Sequence, residues 1–183
     1  MTRIPYCQPA EMSSEARAMT LQRGNLNVYR TLANADTMFT GWMAAGHAAL
    51  TSPVLSARLR ELVILRTGHL MNCPYEVAQH TALARGAGIA DQQIEELAVG
   101  GSLSASSGFD DTELAVLGLT TELLLTKQVD AALFKAVHQA LGTKATIEVL
   151  MLINRWSGLA LMINALEIDL DTTARIAIPR PQH

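Results

Sequence analysis

The sequence predicts an all-α fold, and three observations support it. The chain has 183 residues, 49% hydrophobic and 17% charged, a composition typical of a compact domain and not of a disordered tail. Strand-like alternation of polar and apolar residues is nearly absent, whereas the helix-favouring Ala, Leu, Met, Glu and Gln are plentiful. Glycine, proline and capping residues divide the chain into runs of helical length. We therefore expect one domain over residues 1–183.

These dividing residues predict where each helix begins and ends. After an extended, Pro-rich leader to about Pro9, the expected helical runs are about 13–32 (one or two helices), 35–50, 56–71, 74–85, 91–99, 110–126, 130–141 and 143–166. The predicted N-terminal caps are Ser13 or Ser14, Ser56, Asp110 in a capping box with Glu113, and Thr143. The predicted glycine stops are Gly86-Ala87-Gly88 and Gly142. The Gly- and Ser-rich stretch 100–108 is predicted to be a surface loop.

The last run is apolar on two faces, so both faces need to be covered. One face carries Ile147, Leu150, Met151, Leu161 and Met162, and the other carries Val149, Leu152, Trp156, Leu159 and Ile163. The run is long enough to cross a bilayer, but Glu148, Asn154, Arg155 and Asn164 favour a buried helix of a soluble protein. The second face is either core of the monomer or a subunit interface.

Composition also bears on partners and compartment. The net charge is −3, and without a run of basic residues or many aromatics the chain is not expected to bind nucleic acid. Cys7 and Cys73 are the two cysteines, too few for a disulfide framework. Residues 1–5 lack the apolar stretch of a signal peptide. The expected setting is therefore cytoplasmic, without membrane association.

Chemistry-bearing residues concentrate between residues 60 and 80. Glu61 lies four residues before Leu65 and eight before His69 on one helix stripe, beside four aliphatic residues that disfavour an ionised carboxylate. Glu76 and His80 are spaced i, i+4 on the next helix, so their side chains can meet and exchange a proton. Cys73 starts that helix, where backbone N–H groups and the helix dipole favour a thiolate.

Structural alternatives exist for each of these residues. Glu61 could pair with Arg58 on an exposed stripe, and a Glu/His pair at i, i+4 is common on solvated helices. Cys73 could be a small buried hydrophobe. A metal site from Glu76, His80 and His69 has unspecific ligand spacing and is not expected.

The stretch from Arg60-Glu61-Leu62 through Tyr75-Glu76-Val77-Ala78-Gln79-His80 to Ala84-Arg85-Gly86-Ala87-Gly88-Ile89 resembles the carboxymuconolactone decarboxylase family, which shares its fold with alkylhydroperoxidase D-like proteins. The shared pattern is an Arg-Glu-Leu helix, a short break, Tyr-Glu with a nearby His, and a Gly-ended helix before an Asp-capped one. The matching core is about residues 50–125, with flanking N- and C-terminal helices. The resemblance implies an alkylhydroperoxidase D-like helical bundle with antiparallel core helices, assembled as homo-oligomers (dimers, trimers or hexamers).

Two chemistries are known in proteins of this type. In the peroxidase-like branch, a Cys-x-x-Cys pair begins the His-bearing helix and an upstream Glu completes a proton relay. By position, Cys73 matches the first cysteine, Glu76 the second, His80 the histidine and Glu61 the upstream glutamate. Without the second thiol, a two-cysteine redox cycle is not expected. The decarboxylase branch typically has Glu at that position, as this chain has.

The resemblance therefore implies a lyase of aromatic catabolism that removes CO₂ from a small carboxylated lactone without a cofactor or metal. Glu76 and His80 are the expected proton carriers, and Glu61 is expected to orient or supply one of them. An arginine suits the substrate carboxylate, and the candidates are Arg58, Arg66, Arg85 and Arg155. The alternatives are a thiol-dependent antioxidant protein that uses Cys73 alone and a non-catalytic helical oligomer.

Overall fold

A computed structural model of the protein describes residues 2–98, 100, 103, 108–172 and 175–176. The helices are α1 (Ser14–Gln22), α2 (Asn27–Leu32), α3 (Asp36–Thr51), α4 (Ala57–Leu70), α5 (Pro74–Gly86), α6 (Asp91–Glu96), α7 (Asp111–Thr126) and α8 (Ala131–Leu166). The described residues contain no strand, and the all-α prediction is confirmed. Most of the predicted loop at 100–108 lies outside the described residues.

The helix ends follow the local signals in the sequence. Three predicted caps accept a backbone hydrogen bond in the first turn of their helices: Ser13, Ser56 and Asp110. Gly142 interrupts α8 with φ 73° and ψ 170°, so two helical segments meet there, as predicted. Helix α6 is shorter than expected. The chain leaves it at Leu97, whose carbonyl oxygen accepts a hydrogen bond from Arg66 Nη1 at 2.8 Å.

The chain forms two compact units. The first consists of Met1–Ser52 and Met162–His183, in which α1 packs on α3. Hydrogen bonds to the carbonyl oxygen of Leu166 join its two segments, from Arg3 N at 2.9 Å and Thr2 Oγ1 at 3.1 Å. The second unit is Pro53–Leu161, and it contains all four residues of the predicted site.

Helix α4 is the centre of the second unit, because every residue from Leu59 to Gly68 is buried. It packs on α5 and α7. Two of its leucines belong to a hydrophobic cluster in the core. The members of this cluster are Leu62, Leu65, Ala84, Ile89, Ile94, Leu97, Phe109 and Leu117. The polar groups of α4 reach α7: Arg58 Nε binds Glu113 Oε1 at 2.6 Å, and Arg66 Nε binds Thr121 Oγ1 at 2.9 Å.

These contacts also give the helix directions. Helices α4 and α7 are parallel, because Arg58 near the start of α4 binds Glu113 near the start of α7, and Arg66 further along binds Thr121 further along. From α4 to α5 the order reverses, since Gly68 faces Glu76 and Glu61 faces His80. The antiparallel packing expected of the core helices therefore applies to α4 and α5.

The two apolar faces of α8 have different environments. Val149, Leu152 and Trp156 are buried, whereas Ile147 and Met151 are 51% and 64% exposed. The exposed face is therefore not core of the single chain, and its role as a subunit interface stays a prediction. Among the described residues, α8 is the one helix whose length and composition would suffice to cross a membrane, a test that core helices of soluble proteins also pass.

We predict that Asp110→Ala destabilises the second unit by removing the side chain that accepts the Glu113 N–H at 2.8 Å. The expected loss is about 1 kcal/mol, which lowers the melting temperature by about 2–4 °C. The matched control is Asp111→Ala, which removes the same charge from the same exposed turn but no cap. Equal melting temperatures of the two variants in thermal denaturation would contradict the role of the cap.

Candidate active site

The hairpin of α4 and α5 brings the predicted site residues together. A Cβ added to Gly68 would lie 3.2 Å from Val77 Cγ2 and 3.4 Å from Glu76 Cβ, so the absence of a side chain lets the helices approach closely. Asn72 adopts φ 48° in the turn, a conformation that asparagine tolerates. Cys73 N donates to Gly68 O at 2.9 Å, and Pro74 then begins α5.

Glu61, His80 and Glu76 form what we call the buried cluster. His80 Nδ1 lies 2.7 Å from Glu61 Oε2, and His80 Nε2 lies 3.6 Å from Glu76 Oε2. The three residues are 2–4% exposed, so the alternative of a solvated Glu/His stripe is wrong. The alternative pairing of Glu61 with Arg58 is also wrong, because Arg58 binds Glu113.

Trp156 on α8 completes the surroundings of the buried cluster. Its indole Nε1–H donates to His80 Nε2 at 3.2 Å, and the two rings meet edge to face at 5.7 Å between centroids. Sequence reasoning assigned Trp156 only to an apolar face, since it lies 76 residues from His80. The available signal was chemical: a buried tryptophan usually directs its N–H at a partner.

The two partners determine which nitrogen of His80 carries the proton. An indole N–H can only donate, so Nε2 must accept and is unprotonated. Nδ1 then carries the hydrogen and donates it to the Glu61 carboxylate. The geometry is therefore that of a neutral imidazole held between an acceptor and a donor.

Burial and charge shift the proton affinities of the buried cluster. Burial raises the pKa of Glu76, and this effect outweighs the opposing influence of His80, Arg155 and the Trp156 N–H. For His80, burial lowers the pKa, but the negative charge of Glu61 and its hydrogen bond outweigh burial and raise it. Glu76 is thus a carboxyl group that stays protonated to higher pH than an ordinary glutamate, beside an imidazole.

Cys73 differs from its predicted state. Burial raises the pKa of its thiol to about 11, although backbone N–H groups of Tyr75 and Glu76 point to the sulfur and lower it. The expectation of a thiolate at the start of the helix is therefore wrong, because the residue is only 1% exposed and desolvation exceeds the effect of the helix end. Cys73 and Cys7 are both free thiols.

A surface groove of about 400 Å³ lies along the start of α5, and its lining residues are Gly68, His69, Asn72, Cys73, Pro74, Val77 and Ala78. The buried cluster does not line this groove, but Gly68 in its wall lies close to the Cβ of Glu76. Burial, followed by the charge of Arg66, lowers the pKa of His69, and its Nε2 is buried without a hydrogen-bond partner among the described residues. Glu61 and His69, which were predicted to share one stripe of the helix, therefore have different surroundings. Glu61 lies in the core against His80, and His69 lines the groove.

Three of the four candidate arginines bind groups outside the buried cluster. Arg58 binds Glu113, Arg66 binds Thr121 and the Leu97 carbonyl, and Arg85 Nε binds Asp91 Oδ1 at 2.6 Å. The guanidinium of Arg155 lies 5.7 Å from the centre of the Trp156 ring, and its charge lowers the pKa of Glu76. Of these four candidates, Arg155 is therefore the one whose charge acts on the buried cluster.

The chain is similar to one protein family in sequence and to solved structures in fold. Residues 36–122 match the carboxymuconolactone decarboxylase family model, a segment that begins at α3, ahead of the expected core at 50–125. No curated protein matches the chain.

Solved structures match over more of the chain. The alkylhydroperoxidase AhpD core of an uncharacterized peroxidase-related protein from Ralstonia eutropha JMP134 covers 93% of each chain, with a TM-score of 0.81 and 20% identity. A protein of unknown function from Agrobacterium tumefaciens covers 76% of this chain and 95% of its own, with a TM-score of 0.66 and 19% identity. The chain therefore has the alkylhydroperoxidase AhpD core fold, and its residues 36–122 match the carboxymuconolactone decarboxylase family model.

Proposed function

We propose that the protein is a cofactor-independent decarboxylase that acts on a small carboxylated lactone by acid–base chemistry. The observation that carries this proposal is the buried cluster, in which a glutamate with a raised pKa lies beside a histidine that is bound to a second carboxylate. A carboxyl group that remains protonated near neutral pH is what a general acid requires. The family of residues 36–122 supplies the reaction class.

The proposed step breaks the bond between a ring carbon and the substrate carboxylate. CO₂ leaves, and the electron pair stays on the ring carbon, where the lactone carbonyl delocalises it. The Glu76 carboxyl then gives its proton to that carbon. One proton from water restores the acid, so the substrate anion and one proton become the decarboxylated lactone and CO₂.

Glu61 and His80 have a supporting role in this proposal. Glu61 keeps the imidazole oriented through the bond at 2.7 Å. When Glu76 has given its proton, a negative charge lies 3.6 Å from His80 Nε2, which increases the affinity of the pair for the next proton. We propose the groove along α5 as the place of the substrate, because Gly68 in its wall lies close to the Cβ of Glu76.

Glu76→Gln is the direct test, with CO₂ release from a panel of carboxylated lactones as the assay. In the wild type, the rate should fall as pH rises through the raised pKa of Glu76, because the acid loses its proton. The variant should be about 10²- to 10⁴-fold slower and should lack this alkaline decline. The control is Glu95→Gln on the exposed side of α6. A Glu76→Gln enzyme with the wild-type rate and pH profile would exclude Glu76 as the acid.

The thiol alternative has one observation in its favour, since Cys73 lines the open groove. Against it, a thiol with a pKa of about 11 is ionised to only about one part in 10⁴ at pH 7. We therefore expect Cys73→Ala to keep its decarboxylase activity, and wild-type peroxide reduction with an external thiol to be no greater than that of the variant.

The rate at which iodoacetamide alkylates Cys73 reports the thiolate fraction of this residue without a substrate. In a Cys7→Ser background, where Cys73 is the remaining cysteine, the rate should keep rising with pH up to about pH 11. A rate that levels off near neutral pH would mean an activated thiolate and would favour the antioxidant alternative.

A further inference from the structure

We propose that Trp156 is a positioning residue that fixes the tautomer of His80, and that its indole N–H moves from His80 to Glu76 when His80 takes up a proton. The functional meaning of this exchange rests on the function proposed above. The exchange itself is a property of the folded chain and can be measured without any substrate.

The contacts of Trp156 support the first part of this inference. The residue is 3% exposed and His80 is 2% exposed, so bulk solvent does not reach either ring as a competing partner. The indole Nε1–H donates to His80 Nε2 at 3.2 Å, with 83° between the ring planes. A neutral imidazole with its hydrogen on Nδ1 is the form that satisfies both this donor and Glu61.

A second acceptor for the same N–H lies beside His80 Nε2. The Glu76 carboxyl is 3.6 Å from that nitrogen, and the Trp156 N–H lowers the pKa of Glu76. With His80 neutral, the indole N–H binds the Nε2 lone pair. With a proton on Nε2, that lone pair is gone, and both N–H groups can then donate to oxygens of the Glu76 carboxyl group. Trp156 thus changes acceptor with the position of one proton.

Charged groups on three helices surround this exchange. On α4, Glu61 favours the imidazolium of His80 and Arg60 disfavours it; on α5, Glu76 favours it. On α8, Arg155 lies over the indole face and acts on Glu76. The neighbours of Trp156 on α8, Leu152 and Ile153, are buried at 2% exposure, so the indole is held in the core.

The test is ¹⁵N NMR of the His80 imidazole across pH in the wild type and in Trp156→Phe, which keeps an aromatic ring but removes the N–H. In the wild type, the neutral ring should be in the Nδ1–H form. In the variant, the neutral ring should become a mixture of tautomers, because the N–H that binds the Nε2 lone pair is lost. Trp42→Phe, at the other tryptophan, is the matched control.

The outcome that would overturn the inference is a Trp156→Phe protein, folded by circular dichroism, whose neutral His80 ring keeps the single Nδ1–H tautomer of the wild type. If that variant does not fold, the indole N–H resonance of Trp156 in the wild type decides, with Trp42 as the internal reference. It should shift with the same midpoint as His80, and a signal that does not shift would overturn the exchange. Failure of every lactone in the decarboxylase assay would refute the proposed function and leave these spectra valid.

Discussion

The hydrogen bond between Glu61 and His80 is the interaction on which the rest of the second unit depends. Removing a carboxylate from water costs several kcal/mol unless a partner compensates it, and Glu61 lies in the middle of a helix that is buried from Leu59 to Gly68. His80 is the compensating partner at 2.7 Å. The α4–α5 hairpin must therefore bring Glu61 next to His80. At the end of the hairpin near the turn, Gly68 has no side chain and so lets the two helices pack closely.

Position 76 determines which chemistry this geometry favours. A thiol at that place would give the dithiol that the resemblance associates with peroxide reduction, whereas a glutamate gives a carboxyl group with a raised pKa beside His80. Cys73 is close by, but burial keeps its thiol protonated. The fold is shared with a peroxidase-related protein and is compatible with either chemistry. The protonation states of Glu76, His80 and Cys73 are what distinguish acid–base chemistry from thiol chemistry here.

The sequence alone predicts the local features well and the long-range ones poorly. Caps at Ser56 and Asp110, the break at Gly142 and the contact of Glu76 with His80 follow from residue types and i, i+4 spacing. The place of Glu61 opposite His80 comes from the family resemblance and not from periodicity. The thiolate expected at Cys73 was wrong, because a helix end is visible in a sequence whereas the depth of burial is not. Trp156 was missed as a hydrogen-bond donor for the same reason.

Helix α8 contributes the part of the site that local reasoning could not supply. Its buried face anchors Trp156 among core side chains, and its other face leaves Ile147 and Met151 exposed. A site whose groups all lie on helices is held more precisely than one built on loops, so the oxygens and nitrogens of the buried cluster have little freedom to rearrange. Because these atoms have little freedom to move, the buried cluster can respond to a proton on His80 mainly through a change of hydrogen-bond acceptor by a donor that is already present. The indole N–H of Trp156 donates to His80 and lowers the pKa of Glu76, and it is the donor to which we assign this change.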